Sequence, residues 1–160
     1  MSKKIPIEDV IGVYTIVDDE DYKELSKYHW YIFTGGYAYN EKLGKMHRFL
    51  MNPDSGLVVD HINHNRLDNR KCNLRVCTQQ QNQFNRRPKS DSRTGYKGVK
   101  ICTLDSGKKK YKASICCDGI QHYYGWFDTP EEAAAEYNKW ALYYFGEYAY
   151  LNPLPDQEGD

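Results

Sequence analysis

The stretch "VVDHINHNRLDNRKCNLRVCTQQQN", residues 58–82, constrains the fold most, because it places five asparagines around an Asp-His pair. Asparagine forms helices and strands poorly, and its amide is costly to bury without a hydrogen-bond partner. Such a segment predicts an irregular loop that is held rigid by hydrogen bonds from side chains to backbone. The flanking residues predict a strand in "GLVVDHI", a strand in "NLRVCT" and a helix in "TQQQNQFN" with Thr78 as its N-cap.

Short elements are also predicted on both sides of this stretch. Before it, apolar and aromatic runs predict strands at 12–17, 29–33, 36–40 and 45–51, with one or two helical turns between 19 and 27. After it, "NRRPKSDSRTG" is polar and contains Pro, Ser and Gly, which is typical of a linker over 85–95.

Composition indicates a soluble globular protein that stays inside the cell. Mean hydropathy is −0.83, aromatic residues make up 14% of the chain, and the apolar run at 28–33 is far too short to span a membrane. The N-terminal "MSKKIPIEDV" lacks the apolar region of a signal peptide, and five irregularly spaced cysteines suit a reducing compartment. We therefore expect no membrane partner and a cytoplasmic location, in a bacterial cell or a phage-infected host.

The charge distribution indicates a nucleic-acid partner, although the net charge is zero. Residues 86–124 carry ten Lys and Arg side chains against three Asp, whereas the chain is acidic over 8–24 and again after 125. A basic segment in a neutral protein is a candidate phosphate-binding surface. The alternative is an ordinary solvated basic face.

The last third predicts a hairpin followed by a helix. "KYKASICCDGIQHYYGWF" contains Asp118-Gly119, a strong two-residue turn signal. This turn pairs Cys117 with Ile120, and the pairing then continues away from the turn, one residue at a time on each strand. Thr129, Pro130 and Glu132 predict the capped start of a helix, and Gly146 its end. The helix is expected to cover the apolar sheet face and to leave bare the polar face, which carries Lys112, Ser114, Cys116, Gln121 and Tyr123.

These residues resemble a known DNA-binding domain. "GYKGVK", "YKASI" and "GWFDTPEEAAAEYNKWALYYFGEYAYLN" are similar to the Apetala-2 (ethylene-response-factor) family, in which a three-stranded sheet enters the DNA major groove. The resemblance implies double-stranded DNA as partner, but most of the matching side chains differ from the plant proteins, so no base preference carries over. The predicted DNA-binding residues are Arg86, Arg87, Lys97, Lys100, Lys112, Ser114, Cys116, Gln121 and Tyr123. A sheet-helix module that binds protein is the alternative.

The asparagine-rich stretch resembles a different family. "DHIN…N…DNR…NLR…T…QN", together with "YTIVDDEDYKEL", "HW" and "MHRFLMN", is similar to the H-N-H homing endonucleases of the His-Me finger class, over roughly residues 6–88. The resemblance implies that His61 is the general base, and that Asp60 and Asn82 bind one Mg²⁺ or Mn²⁺ per active site. Asn73, the central asparagine, is expected to tie the loop to the first strand and to aim His61.

Several readings stay open beside this one. Asn82 stands where many family members have a histidine, and oxygen ligands favour Mg²⁺ or Mn²⁺ over Zn²⁺. Cys72 and Cys77 could instead be half of a zinc site. His47 either contacts phosphate or packs structurally. Because neighbouring strand residues point to opposite faces, the backbone is expected to bend between Asp60 and His61.

Together these patterns predict an α+β protein with two modules. A ββα-metal H-N-H nuclease domain occupies 1–88, a three-stranded antiparallel sheet packed on one helix occupies 89–155, and a tail follows at 156–160. The predicted function is a homing-type, metal-dependent DNA endonuclease, as monomer or homodimer. The alternatives are a sequence-specific DNA-binding regulator with a degenerate nuclease domain and, more weakly, an RNA-binding module.

Overall fold

A computed structural model describes residues 1–155, so the predicted tail at 156–160 lies outside the described residues. The chain divides into two compact units, Met1–Asn82 and Gln83–Asp160. Both units mix helices and strands, which agrees with the predicted α+β class.

The first unit begins with two small antiparallel sheets. Strands β1 (Ser2–Pro6) and β2 (Tyr14–Asp18) pair with each other and are followed by helix α1 (Asp19–Leu25). Strands β3 (Tyr31–Phe33), β4 (Tyr37–Asn40) and β5 (Gly44–Lys45) form a meander. Their shared core consists of Ile5, Ile7, Val17, Leu25, Trp30, Ala38 and Met46.

The strand predicted over 45–51 is wrong beyond its first residue, because helix α2 occupies Met46–Met51. A short apolar run does not by itself distinguish a strand from a buried helical turn. Asn52 adopts a left-handed conformation (φ 39°) directly before Pro53, which is a usual way to end a helix. The helix buries Met46 completely and His47 almost completely.

The asparagine-rich stretch folds as strand, loop, strand and helix, as the sequence predicted. Strand β6 (Val58–His61) pairs antiparallel with β7 (Leu74–Cys77), and a 3₁₀ turn at Lys71–Asn73 precedes β7. Helix α3 (Gln79–Phe84) follows, with the Thr78 hydroxyl accepting from the Gln81 N–H at 3.1 Å and the Gln81 side chain accepting from the Thr78 N–H at 2.9 Å. Thr78 is therefore the N-cap.

The loop between β6 and β7 is fastened to the first sheet. The Ile16 N–H donates to the Leu67 carbonyl and the Asn69 N–H donates to the Ile16 carbonyl, both at 2.7 Å. These two bonds form a parallel bridge beside β2, so residues far apart in sequence share one small sheet edge.

The second unit is a three-stranded antiparallel sheet packed on a helix. The strands β8 (Val99–Thr103), β9 (Lys109–Cys117) and β10 (Ile120–Phe127) lie in the order β10-β9-β8, and helix α4 spans Pro130–Phe145. The predicted hairpin register is confirmed from Cys117–Ile120 to Ser114–Tyr123. The Thr129–Glu132 capping box and the end of the helix at Gly146 are confirmed as well.

The sheet face away from the helix differs from the expected bare face in two ways. Ser114 is only 5% exposed, and its N–H donates to the Gly98 carbonyl at 2.9 Å, which continues the β8–β9 pairing beyond Val99. A register shift between Tyr123 and Trp126 places Trp126 opposite Lys112, so this tryptophan joins the exposed face. The expectation of an uncovered polar face is therefore wrong at Ser114.

Gly98 is a position where only glycine fits. Its φ is +74°, and a Cβ atom there would lie 2.0 Å from Cδ2 of Tyr137 and 2.7 Å from the Ser114 carbonyl. The close approach lets the chain before β8 pack directly against α4 and β9.

Candidate active site and nucleic-acid interface

His61 lies at the end of β6 in a cluster of aromatic rings. Its ring centre is 5.0 Å from that of His47, in an edge-on arrangement, and 6.0 Å from that of Tyr37. His61 and His47 are each only 5% exposed. Strand β6 ends here because the chain turns at His64, which has a positive φ of 65°.

A chain of hydrogen bonds fixes which nitrogen of His61 carries its proton. The Thr15 hydroxyl donates to the Leu67 carbonyl at 2.9 Å, so its oxygen accepts from the Asn69 side-chain NH₂ at 2.8 Å. Asn69 must then direct its carbonyl oxygen toward His61, 3.2 Å from Nε2. A hydroxyl has one proton to give, and an amide oxygen only accepts. Nε2 of neutral His61 is therefore the donor, and Nδ1 is the nitrogen with basic character.

Burial keeps both imidazoles neutral. Burial lowers the pKa of His61, opposed by the hydrogen bond that His61 donates to Asn69 and by the charges of Asp60 and Asp68. Burial also lowers the pKa of His47 to about 3, assisted by the neighbouring His61 and by the charge of Lys45. Within residues 1–155, Nδ1 of His47 is buried without a hydrogen-bond partner. Both rings thus present uncharged nitrogens at neutral pH.

The loop that follows His61 is held by the amides that the sequence singled out. The Asn73 side chain accepts from the Asn63 N–H at 3.0 Å and donates to the Asp68 carbonyl at 2.8 Å. The Asp68 carboxylate, 2% exposed, accepts from Arg70 at 2.7 Å and from the Asn63 side chain at 2.9 Å. The Asn73 amide therefore bonds within the loop, whereas the amide that contacts the His61 ring is that of Asn69.

Asp60 lies opposite Arg75 in the β6–β7 ladder, and the pairing runs in unbroken register through both Asp60 and His61. Nε and Nη2 of Arg75 donate to one carboxylate oxygen of Asp60 at 3.0 and 2.7 Å, and both side chains are largely buried. Because strand residues alternate, the carboxylate faces Arg75 on one side while the His61 ring faces Asn69 on the other.

The donor set suits a hard divalent cation. Asp60 supplies a carboxylate that Arg75 holds in one orientation, and Asn82, half-buried as the fourth residue of α3, supplies an amide oxygen. Oxygen donors are what Mg²⁺ and Mn²⁺ prefer, and Mg²⁺ commonly uses one or two protein ligands with waters and substrate phosphates. Among the described residues no group of three His, Cys, Asp or Glu is placed to hold a metal ion, so Cys72 and Cys77 have no third zinc ligand there.

On the outer sheet face of the second unit, a lysine lies close to two aromatic rings. Nζ of Lys112 lies 3.6 Å from the ring centre of Tyr123 and 5.3 Å from that of Trp126. Both rings are more than half exposed, and Lys100, Cys116 and Gln121 are exposed on the same sheet. This face offers planar groups and positive charge together.

A cavity of about 790 Å³ adjoins the start of β8 within the second unit. Its basic lining residues are Arg86, Arg87, Lys89, Arg93, Lys97 and Lys100. Lys97 differs from the others because its ammonium donates to the Phe84 carbonyl at 2.6 Å. Burial, together with the charge of Arg86, lowers its pKa to about 8. Lys97 therefore anchors residue 84 to the second unit, where the Phe84 ring also stacks on Phe145 at 3.9 Å.

Comparison with known proteins identifies the family. A family model described as HNH endonuclease matches residues 52–84, which contain β6, the asparagine-rich loop, β7 and α3. An uncharacterized HNH endonuclease of Acanthamoeba polyphaga mimivirus is 38% identical over 151 residues, covering 89% of this chain and 76% of that protein. The chain belongs to the HNH endonuclease family. No solved structure matches it significantly.

Two contacts near His61 are not signalled by the sequence. Asn69 stands in the "DNR" segment, but its pairing with Thr15 joins residues 54 positions apart, which no local pattern signals. For His47 the sequence allows phosphate contact or packing, and the structure buries it against His61. For His47, the only hint in the sequence is the position of "MHR" shortly before the HNH motif.

Within residues 1–155 of this HNH endonuclease, no helix has the length and apolar character needed to cross a membrane.

Proposed function

We propose that the chain is a metal-dependent DNA endonuclease of the homing type, with His61 as general base. The observation that carries this proposal is the state of His61: a buried, neutral imidazole whose Nε2–H is engaged by Asn69, which leaves Nδ1 as the basic nitrogen. A general base needs a lone pair on a fixed nitrogen, and a lowered pKa keeps that lone pair available at neutral pH.

In this mechanism the residues of the HNH motif divide the work. Nδ1 of His61 takes a proton from the attacking water, and Asn69 stabilises the imidazolium that forms by accepting from Nε2. Asp60 and Asn82 would hold one Mg²⁺ or Mn²⁺, which supplies charge neutralisation at the scissile phosphate and the leaving 3′ oxygen. Arg75 fixes the Asp60 carboxylate, and Asn73 keeps the loop in the conformation that positions His61.

The second unit is proposed to bind double-stranded DNA with its Apetala-2-like sheet. Lys100, Lys112, Gln121, Cys116 and Tyr123 lie on or near the outer face, and Arg86 and Arg87 line the basic cavity. Trp126 joins this set because the bulge in β10 brings it next to Lys112. Exposed aromatic rings and cations of this kind suit stacking and phosphate contact.

Ser114 and Lys97 are assigned indirect roles in this interface. Ser114 is buried, and Lys97 donates to backbone carbonyls at the end of α3. We expect both to shape the sheet and the cavity. We place the origin of the chain in a virus or mobile element, which the viral relative supports. Its activity is proposed to take place in the cytoplasm of the host.

A plasmid-nicking assay with Mg²⁺ tests this function. The wild-type protein is expected to nick, and His61→Ala to cut at least about a hundredfold more slowly with nearly unchanged DNA binding. His29→Ala serves as the matched control, because the His29 ring is exposed and pairs with the Glu8 carboxylate, outside the HNH motif. Near-normal cleavage by His61→Ala would remove His61 as the base. DNA binding without cleavage by the wild type would instead indicate the regulator.

A further inference from the structure

A pair of cations lies beside the His61 cluster in the first unit. Nζ of Lys45 is 4.7 Å from the ring centre of Tyr37, and Cζ of Arg66 is 4.9 Å from the same point. Tyr37 in turn packs against His47 at 4.8 Å and lies 6.0 Å from His61. One aromatic ring thus connects two positive side chains to the proposed general base.

The two cations are positioned by the fold. Arg66 comes from the asparagine-rich loop, and one of its terminal nitrogens donates to the Gly35 carbonyl. Gly35 has φ +88°, and a Cβ there would lie 3.2 Å from Tyr37 and 3.5 Å from Arg66, so glycine leaves the guanidinium room to approach. Lys45 comes from β5, which pairs with Tyr39 of β4. The ring of Tyr37 packs against the buried His47.

Their charges have no acidic partner within the part of the chain that the structure describes. Neither Lys45 nor Arg66 is in any ion pair there, in contrast to Arg70, Lys71 and Arg75, which all bind carboxylates. Lys45 also acts on a histidine of this cluster: after burial and the neighbouring His61, its charge lowers the pKa of His47. Two positive charges that lie near a neutral base, and that pair with no carboxylate among the described residues, suit an anionic ligand.

We propose that Lys45 and Arg66 form a clamp for a phosphodiester of the DNA backbone next to His61, an inference that rests on the proposed endonuclease function. Arg presents a planar set of N–H donors that matches phosphate oxygens, and Gly35 takes only one of them. Lys45 adds a compact charge next to the same Tyr37 ring. The clamp places the substrate against His61 without reading base sequence.

The test measures binding of a short random-sequence DNA duplex as a function of salt, using full-length protein with the His61→Ala change so that no cleavage interferes. In that background, Lys45→Ala and Arg66→Ala are each expected to weaken binding by roughly tenfold, the scale of one charge-assisted hydrogen bond. Each is also expected to make the slope of log affinity against log salt shallower by about 0.9. Lys42→Ala is the matched control, since Lys42 is exposed on the turn between β4 and β5.

Unchanged affinity and slope in the Lys45→Ala/Arg66→Ala double variant would overturn the clamp. Weaker binding with an unchanged slope would also overturn it, because that pattern means the fold has changed and no phosphate contact has been lost. If Arg66→Ala unfolds, the variants Lys45→Gln and Arg66→Lys are measured in its place. The slope of log affinity against log salt is then expected to be shallower by about 0.9 for Lys45→Gln, as for Lys45→Ala. Failure of the clamp can be told apart from failure of the proposed function, because the proposed function fails if the wild type cleaves no DNA with any divalent cation.

Discussion

The two units hold their candidate functional side chains in opposite ways. In the first unit Asp60, His61 and Asn69 are between 0% and 7% exposed, and each has a defined polar partner. In the second unit Tyr123 and Trp126 are 57% and 53% exposed and contact Lys112 across open surface. Proton transfer needs atoms held within tenths of an ångström, whereas phosphate and base contacts are completed by the ligand itself.

This difference predicts two kinds of response to substitution. A buried polar group that loses its partner keeps the cost of its desolvation, so changes at the buried residues of the first unit affect stability and chemistry together. An exposed side chain has little desolvation to lose, so changes on the outer sheet face of the second unit affect binding alone. The expectations below test that contrast, beginning with the largest effect.

Asp60→Ala is expected to abolish Mg²⁺-supported cleavage and also to lower the free energy of unfolding by about 3–5 kcal/mol, because Arg75 keeps a buried charge without its carboxylate. Urea denaturation and nicking assays measure the two effects. The double variant Asp60→Ala/Arg75→Met should regain much of the stability and none of the cleavage.

Asn82→Ala, at a half-buried position, should lose Mg²⁺-supported cleavage with little loss of stability, and excess Mn²⁺ should rescue it in part. Cleavage by chelator-treated protein without added metal would contradict the proposed metal site.

Acid should weaken the first unit through His47. Its folded pKa is about 3 against an ordinary value of 6.5, so below pH 6.5 the unfolded chain takes up a proton that the folded protein does not. Stability therefore falls as pH falls through this window, by about 2 kcal/mol between pH 7 and pH 5 from His47 alone. The lowered pKa of His61 adds to the loss in the same direction.

Denaturation of wild type and His47→Gln at pH 7 and pH 5 measures this contribution. The variant should lose about 2 kcal/mol less than the wild type on acidification. An equal loss in both proteins would show that folding does not lower the pKa of His47.

Thr15→Val should test the orientation of the Asn69 amide, because it removes the hydroxyl that orients the amide and keeps Asn69 itself. Without the hydroxyl, nothing at Thr15 distinguishes the amide oxygen from the amide nitrogen, so Asn69 can rotate and present NH₂ to His61. We expect about 1.5 kcal/mol less stability and roughly tenfold slower cleavage, with unchanged DNA affinity. Thr15→Ser keeps the hydroxyl and should restore the rate. Failure of serine to do so would mean that packing of the methyl group, and not the hydrogen bond, is what matters.

The smallest effect is expected on the sheet of the second unit. Lys100→Ala should weaken binding of duplex DNA a few-fold and reduce the salt slope by about 0.9, with no change in stability, because Lys100 is exposed. Lys139→Ala, on the helix that covers the other sheet face, is the matched control. Equal salt slopes for the wild type and Lys100→Ala would remove Lys100 from the interface.

Sequence determined those features that depend on residues close together in the chain. The Asp118-Gly119 turn fixes the β9–β10 register because its two residues adopt the backbone angles that a two-residue hairpin needs, both with positive φ. Thr129 and Glu132 cap α4 within one helical turn. The spacing of the HNH motif likewise placed Asp60 and His61 at the end of a strand.

Tertiary structure decided what depends on residues distant in sequence. Thr15 meets Asn69 only because the loop adds a bridge to β2, and that meeting sets the tautomer of His61. The helix at Met46–Met51 depends on burial of one face in the core of the first unit, which a short apolar run does not reveal. Ser114 is buried at the point where Gly98, distant in sequence, accepts from its N–H and extends the β8–β9 pairing. The energies of turns and helix caps depend on adjacent residues, whereas the burial of a side chain depends on which distant segments the folded chain brings together.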